Sequence, residues 1–394
     1  MNFHLIKNNV YYCGIKDKER RLFDEIVPLP EGTTYNSYLV VGSEKTALID
    51  TTYPPKVDEF ISKLEKNDVK KIDYIVANHG EQDHTGALPK LLEKYPKAKI
   101  ITNQKCHDII SDLLDVDDNK FIIIGDKEEI SLGDKTLQFM ITPWVHWPDT
   151  MFTYIKEDKL LFTCDYFGAH YTSWELFADN SEELKSSAKR YYAEIMMPFR
   201  SFAAKYLKMV KEMDVDMILT SHGPIYKEPK FILDLYEDWT KESVDNLVVI
   251  PYVSMYESTK KMADHLAQKL REKGIDVILF DAVGEDHGEL AMSIVNAATI
   301  VLAASMVLAG PHPLMVTTAY LIGALRPKFK FLSIIGSYGW GGNLTGKLED
   351  MFTMLKPEKL DYVTVKGCPR EDAYKKLDNL AELIYQKHKE IGLI

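Results

Sequence analysis

The chain has 394 residues, 46% hydrophobic and 27% charged, the mix of an ordinary globular protein and not of a disordered one. The net charge of −11 argues against a nucleic-acid backbone as partner, because that partner selects a basic face. Cys13, Cys106, Cys164 and Cys368 lie far apart with no C-x-x-C pair, which argues against a disulfide framework and against a cysteine-ligated zinc or iron module.

In chain order, the first part alternates short β runs with a few helices. Strands are predicted at 34–41 and 45–50 about a turn at Gly42-Ser43, then a helix over 57–66 and a buried strand over 72–77 that stops at Asn78. A helix over 86–95 follows a loop, then strands at 99–102, 120–124, 136–141, 151–155 and 159–162. A long helical stretch over 182–215 breaks near Met197-Pro198, and 217–220 is a strand. The last part has another rhythm. Strands at 246–253, 276–281, 299–304, 330–336 and 360–366 alternate with helices at 260–273, 289–298, 316–325, 345–355 and 370–391. That alternation reads as a parallel doubly wound sheet. The boundary falls near 243–246 and gives domains 1–245 and 246–394. The most apolar stretch, 294–309, is shorter than the about 20 residues a membrane span needs. The N-terminus lacks the apolar run of a signal peptide, so a cytoplasmic protein without a membrane span is expected.

The run His79-Gly-Glu81-Gln-Asp83-His84 places four potential metal ligands within six residues, directly after a buried strand. Such a cluster repels itself or competes for hydrogen bonds unless a cation sits among the donors. Spacings of two along an extended loop point His79, Glu81 and Asp83 toward one concavity. His146, Asp165 and His222 also stand where predicted strands end, at the rim where sites collect. His4, His107, His265 and His388 read as solvated. His170 reads as a pocket-lining residue, and Tyr191 and Tyr192 as packing residues, with a hydroxyl near bound substrate as the alternative.

The second part carries three loops at strand ends, where doubly wound sheets bind ligands. In the first, Ser254, Met255, Tyr256, Glu257, Ser258 and Thr259 precede a helix and offer hydroxyls and N–H groups as a phosphate cradle. The second is Ser305, Met306, Val307, Leu308 and Ala309, suited to backbone and apolar contacts with a ring. The third, Ser337, Tyr338, Gly339, Trp340, Gly341 and Gly342 after Gly336, is a glycine-rich loop that lets backbone approach a flat ring under an aromatic cover. Flavin mononucleotide (FMN) fits this set, and no dinucleotide G-x-G-x-x-G stands in the right place.

The first part resembles the metallo-β-lactamase superfamily, with Glu81 where its hydrolases have a second His, and the second part resembles flavodoxin. Together, in this order and over the whole chain, they resemble the two-domain flavodiiron proteins, whose motif is H-x-E-x-D-H. The resemblance implies an α/β fold: an αββα sandwich, then a five-stranded flavodoxin-like sheet. It implies one iron on His79, Glu81 and His146, a second on Asp83, His84 and His222, and Asp165 as the bridge. It implies two irons and FMN as cofactors, and reduction of dioxygen to water or of nitric oxide to nitrous oxide. It implies an external electron donor, rubredoxin or a reduced deazaflavin, and a head-to-tail homodimer, able to pair into a tetramer, that would bring one subunit's flavin to the other's irons. The alternative is a zinc-dependent hydrolase of the metallo-β-lactamase fold carrying a flavodoxin module.

Overall fold

The computed structural model describes residues 3–173, 175–284 and 286–394. The chain forms two compact units, one of Met1–Tyr192 and Phe199–Thr240, the other of Ala193–Pro198 and Lys241–Ile394. Among the described residues no helix is long and apolar enough to cross a membrane.

Two sheets make the heart of the first unit. One has seven strands in the order His4–Lys7, Val10–Tyr12, Tyr38–Val41, Thr46–Ile49, Tyr74–Val76, Lys99–Thr102, Phe121–Ile123. The other has five, in the order Glu129–Ser131, Thr136–Ile141, Met151–Ile155, Leu160–Cys164, Met217–Thr220. Side chains alternate across a strand, and here both faces are apolar. Tyr38, Val40, Ala47, Ile49, Val76 and Ile101 enter the core shared with Phe139, Met151, Ile155, Leu160 and Phe162 of the second sheet. Their neighbours Leu39, Leu48, Ile75 and Ile100 point the other way, onto Phe60, Leu64, Leu88, Leu91 and Ile110. Those five come from the helices Val57–Lys66, Leu88–Lys94 and Gln104–Leu113. Beyond the second sheet, Phe152 packs on Tyr166 and Tyr206, with centroids 5.8 and 6.3 Å away, and the Tyr166 hydroxyl donates to the Ala203 carbonyl at 2.6 Å. The result is the helix–sheet–sheet–helix sandwich expected.

In the second unit the parallel strands lie in the order Asp276–Asp281, Asp245–Val253, Ala297–Val307, Phe331–Tyr338. The fifth position is filled by two pieces, Glu358–Lys359 and Val363–Lys366. By chain order this is 2-1-3-4-5, the flavodoxin arrangement.

Three readings change. The helix expected over 289–298 is His287–Ile294, and the next strand begins at Ala297 because Asp245 pairs there, its N–H donating to the Asn296 carbonyl at 2.8 Å. That strand runs on through Met306 and Val307, which pair back with Gly310–Pro311 across Leu308 and Ala309, so part of the expected loop is a hairpin. His388 is buried, not solvated. It lies on the inner stripe of Glu371–Glu390 with Leu377, Ala381 and Ile384, and its ring nitrogens meet Thr299 Oγ1 at 2.7 Å and Asn246 Oδ1 at 2.8 Å.

Candidate functional site

The residues expected to cluster in the first unit do so at the ends of its strands. His79 follows Tyr74–Val76, Asp165 follows Leu160–Cys164, and His222 follows Met217–Thr220. His146 stands in the loop between Thr136–Ile141 and Met151–Ile155. One local expectation fails. Asp83 and His84 lie on a single helical turn, Gln82–Thr85, and not on an extended loop. The turn is closed by the N–H groups of His84 and Thr85, which both donate to the Glu81 carbonyl. It throws Asp83 and His84 to one side while Glu81 stays with His79.

Asp165 divides the cluster. Its Oδ2 lies 3.7 Å from His79 Nε2 and 3.6 Å from His146 Nε2. Its Oδ1 lies 3.2 Å from both His84 Nε2 and His222 Nε2. Glu81 Oε2 completes the first group, 3.1 Å from His79 Nε2 and 3.7 Å from His146 Nε2. The Asp83 carboxylate completes the second, with Oδ1 3.2 Å from His84 Nε2 and Oδ2 3.1 Å from His222 Nε2. All four imidazoles present the same nitrogen inward. The donor atoms of each group lie within 4.8 Å of one another, the reach of one metal ion.

The electrostatics fit a cation pair. Burial opposes the charge on Asp165, but the imidazoles of His84, His146 and His222 outweigh it and hold this carboxyl well below the ordinary range. Asp83 is likewise drawn down, against burial, to about 2 by His84 and His222. In return Asp165 and Asp83 raise His222, against burial, to about 10. Yet among the described residues both Asp83 oxygens and His84 Nε2 are buried without a hydrogen-bond partner. Buried polar atoms of this kind are costly unless something else occupies their lone pairs. Three carboxylates and four imidazoles are donors suited to iron.

Partners invisible to sequence reasoning hold the imidazoles from outside. His79 Nδ1 meets the buried Asp149 carboxylate at 3.0 Å, and His222 Nδ1 meets the Thr34 carbonyl at 2.6 Å. Tyr191 donates its hydroxyl to Asp165 Oδ1 at 3.1 Å, whereas Tyr192 donates to the Trp239 carbonyl. His170 stands in none of these ligand groups among the described residues. Its Nδ1 meets Thr33 Oγ1 at 2.8 Å, its ring lies 5.2 Å from that of His222, and burial holds its pKa well below the usual imidazole value.

In the second unit the three loops line three cavities of about 390, 310 and 190 Å³, with Met306 on the wall of each. Tyr256, Leu308 and Trp340 are 85%, 86% and 69% exposed around them, a strongly apolar rim for open solvent. Ser254, Ser258 and Ser337 line the middle cavity, and the buried Ser305 Oγ has no hydrogen-bond partner. A Cβ on Gly336 would stand 2.1 Å from the Ala304 carbonyl oxygen, so the two strands touch there through glycine alone. Thr259 and Glu257 do not line the cavities. Thr259 bonds Ser337 Oγ at 3.0 Å, and Glu257 adopts a left-handed φ of 63° at the helix start. Asn343, Thr345, Thr364 and Gly367 join the walls unannounced by the sequence reading.

The family model described as ODP family beta lactamase matches residues 33–223. A nitric oxide reductase of Moorella thermoacetica is 34% identical over 377 residues, 93% of this chain and 94% of that one. A coenzyme F420H(2) oxidase of Methanothermobacter marburgensis is 32% identical over 360 residues, 88% of this chain and 89% of that one. Among solved structures, the rubredoxin oxygen:oxidoreductase of Desulfovibrio gigas matches with a TM-score of 0.94 at 31% identity, covering 99% of both chains. These relatives are named for redox reactions and not for hydrolysis. With the fold, the divided ligand cluster and the second unit's loops, they establish that the chain belongs to the flavodiiron (type A flavoprotein) family of oxidoreductases.

Proposed function

We propose that this chain reduces dioxygen to water or nitric oxide to nitrous oxide, with two irons in the first unit and FMN in the second. His79, Glu81 and His146 would hold one iron, Asp83, His84 and His222 the other, with Asp165 between them. The loops 254–259, 305–309 and 337–342 would hold the flavin. The observation that carries this reading is the two-sided Asp165, with one oxygen toward each group of imidazoles. When bound, a ferrous pair and a reduced flavin supply the four electrons that dioxygen needs, or the two that a pair of nitric oxides needs.

The chain's own residues bind, orient and shield. Asp149 and the Thr34 carbonyl accept Nδ1–H from His79 and His222, which fixes the tautomer that leaves Nε2 free for metal. Tyr191 donates to Asp165 and keeps its carboxylate plane from turning. Phe23, Tyr35 and Trp147 stand around the cluster, with ring centroids 5.7 and 6.0 Å from His222 and 4.9 Å from His79, and limit water. In the second unit Ser254, Ser258 and Ser337 would offer hydroxyls to the phosphate, and Trp340 and Tyr256 would offer apolar contact to the ring.

We place the donor outside the chain, as rubredoxin or a reduced deazaflavin, following the reactions for which the Desulfovibrio and Methanothermobacter relatives are named. We further propose a head-to-tail homodimer able to pair into a tetramer. The warrant for that arrangement is the family resemblance, which implies that one subunit's flavin serves the other's irons. The deciding experiment is metal and flavin content on protein purified without air, then gas consumption with reduced rubredoxin. Two irons and one FMN per chain with consumption of either gas is the expected result. Zinc without flavin, from cells supplied with iron and riboflavin, refutes it.

A further inference from the structure

The four imidazoles of the cluster differ in what holds them from behind. His79 Nδ1 has a carboxylate at 3.0 Å and His222 Nδ1 a carbonyl at 2.6 Å. His84 Nδ1 has the Cys164 sulfur, at 3.8 Å. When Nε2 binds metal, Nδ1 carries the ring's proton and needs an acceptor. The other group near it is Asp50, whose donor atom lies within 4.8 Å of those of His84 and Cys164. That carboxylate already serves Asn78 N at 2.9 Å, Asn78 Nδ2 at 3.0 Å and Ser221 Oγ at 3.3 Å. Among the described residues no hydrogen bond joins Asp50 to the His84 ring, and the thiol is the group within hydrogen-bond reach of Nδ1.

The same sulfur lies 3.9 Å from Asp165 Oδ2, so its S–H can donate to the shared carboxylate while its lone pair accepts from His84. Asp50, just past its strand, and Cys164, at the end of its own, both have left-handed φ values, 52° and 51°. The His84 carbonyl is pinned by Thr51, through both its N–H and its Oγ1 at 2.7 Å, so the ring is the part left to be oriented.

We propose that Cys164 is a positioning residue: its thiol couples His84 to Asp165 and holds the His84 ring with Nε2 toward the second metal. This rests on the reading of Asp83, His84 and His222 as an iron site. It assigns no redox change to the sulfur.

The test is iron retention, read by competition of the reduced holoprotein with a ferrous chelator, for wild type, Cys164→Ala, Cys164→Ser, His84→Ala and the Cys164→Ala/His84→Ala pair. Losing an outer partner of a metal-bound imidazole lowers metal affinity about 10–100-fold. Cys164→Ala is expected to weaken the iron on Asp83, His84 and His222 by that factor and to change the other far less, through the long Asp165 Oδ2 contact alone. Cys164→Ser, which still donates and accepts, is expected to recover most of the loss. In the His84→Ala background, Cys164→Ala is expected to add nothing. Wild-type retention in Cys164→Ala overturns the proposal, as does a serine variant no better than alanine, which would mean that the sulfur only fills space. An additive double variant overturns it too. A wild-type protein that never holds two irons overturns the site reading itself, and this inference with it.

Discussion

Asp149→Asn tests whether the outer partner of a histidine governs its metal. Asp149 is fully buried, and a single oxygen, Oδ2, accepts from His79 Nδ1 at 3.0 Å and from Gly80 N at 2.7 Å. Its Oδ1 is buried without a partner. An asparagine that keeps its carbonyl at the Oδ2 position retains both bonds but loses the charge. A hydrogen bond to a charged group is worth about 1.5–3 kcal/mol and a neutral one about 0.5–1.5 kcal/mol, so the His79 contact weakens by about 1–1.5 kcal/mol. That is roughly tenfold in affinity for the iron on His79, Glu81 and His146, the lower end of the about 10–100-fold typical of such partners. The new NH₂ falls where Oδ1 had no hydrogen-bond partner among the described residues, which costs the fold about 1–3 kcal/mol more. Iron content and chelator competition on the reduced protein measure the first effect, and urea unfolding the second. Unchanged retention of both irons, or selective loss of the iron on Asp83 and His222, would refute the reasoning.

Further outcomes follow from other features. Lys135 and Asp158 form a buried ion pair, and Asn8 Nδ2 donates to the same carboxylate at 2.6 Å. Lys135→Ala strands that charge, and because Asn8 still serves it the expected loss is near the low end of about 3–5 kcal/mol, read from the urea midpoint. His388 is depressed to about 4 by burial. Its unfolded value is about 6.5, so the unfolded chain binds the extra proton between these limits, and stability present above pH 6.5 drains as pH falls toward 4. The span corresponds to about 3 kcal/mol, and His388→Gln should flatten that part of the pH–stability curve; an unchanged slope would place the acid sensitivity elsewhere. Gly336→Ala puts a methyl group against the Ala304 carbonyl, which backbone alone can relieve. We expect about 1–3 kcal/mol of destabilisation or more, with loss of bound FMN in the purified protein, and full flavin content would contradict the account of the cleft.

What the sequence reveals and what it hides divide along physical lines. Strands buried on both faces, such as 72–77 and 217–220, announce themselves as apolar runs, and the seven ligand-type residues stand where such runs stop. The first 33 residues gave no reading because their strands are two to four residues long, too short for a period to show. The helix Gln104–Leu113 escaped as well, although its cap is visible in hindsight: Asn103 accepts from Cys106 N at 3.1 Å. His388 was misplaced because a histidine among lysines reads as surface, while its spacing of four from Ile384 already put it on the inner stripe. Asp149, Thr34 and Cys164 carry no local signal. Each matters only through a partner 70, 188 or 80 residues away, and such pairings are made by the fold.

These outer partners make the two halves of the cluster unequal. A carboxylate behind an imidazole raises the basicity of the metal-facing nitrogen more than a carbonyl does, and a thiol does so least. The half built on His79 has the buried charge of Asp149 behind it, and the half built on Asp83 has a carbonyl and a sulfur. Asp165 adds to the imbalance. Its Oδ1, facing His84 and His222, also accepts the Tyr191 hydroxyl, while its Oδ2, facing His79 and His146, has only the long contact to Cys164. A hydrogen bond to a carboxylate oxygen withdraws charge that the oxygen would otherwise offer to a cation. The stronger of these two bonds falls on the half with the weaker outer partners. Both effects point the same way, so in the site as proposed the metal beside Asp83 would be held less firmly and leave first under a chelator, and the metal beside Glu81 would leave last.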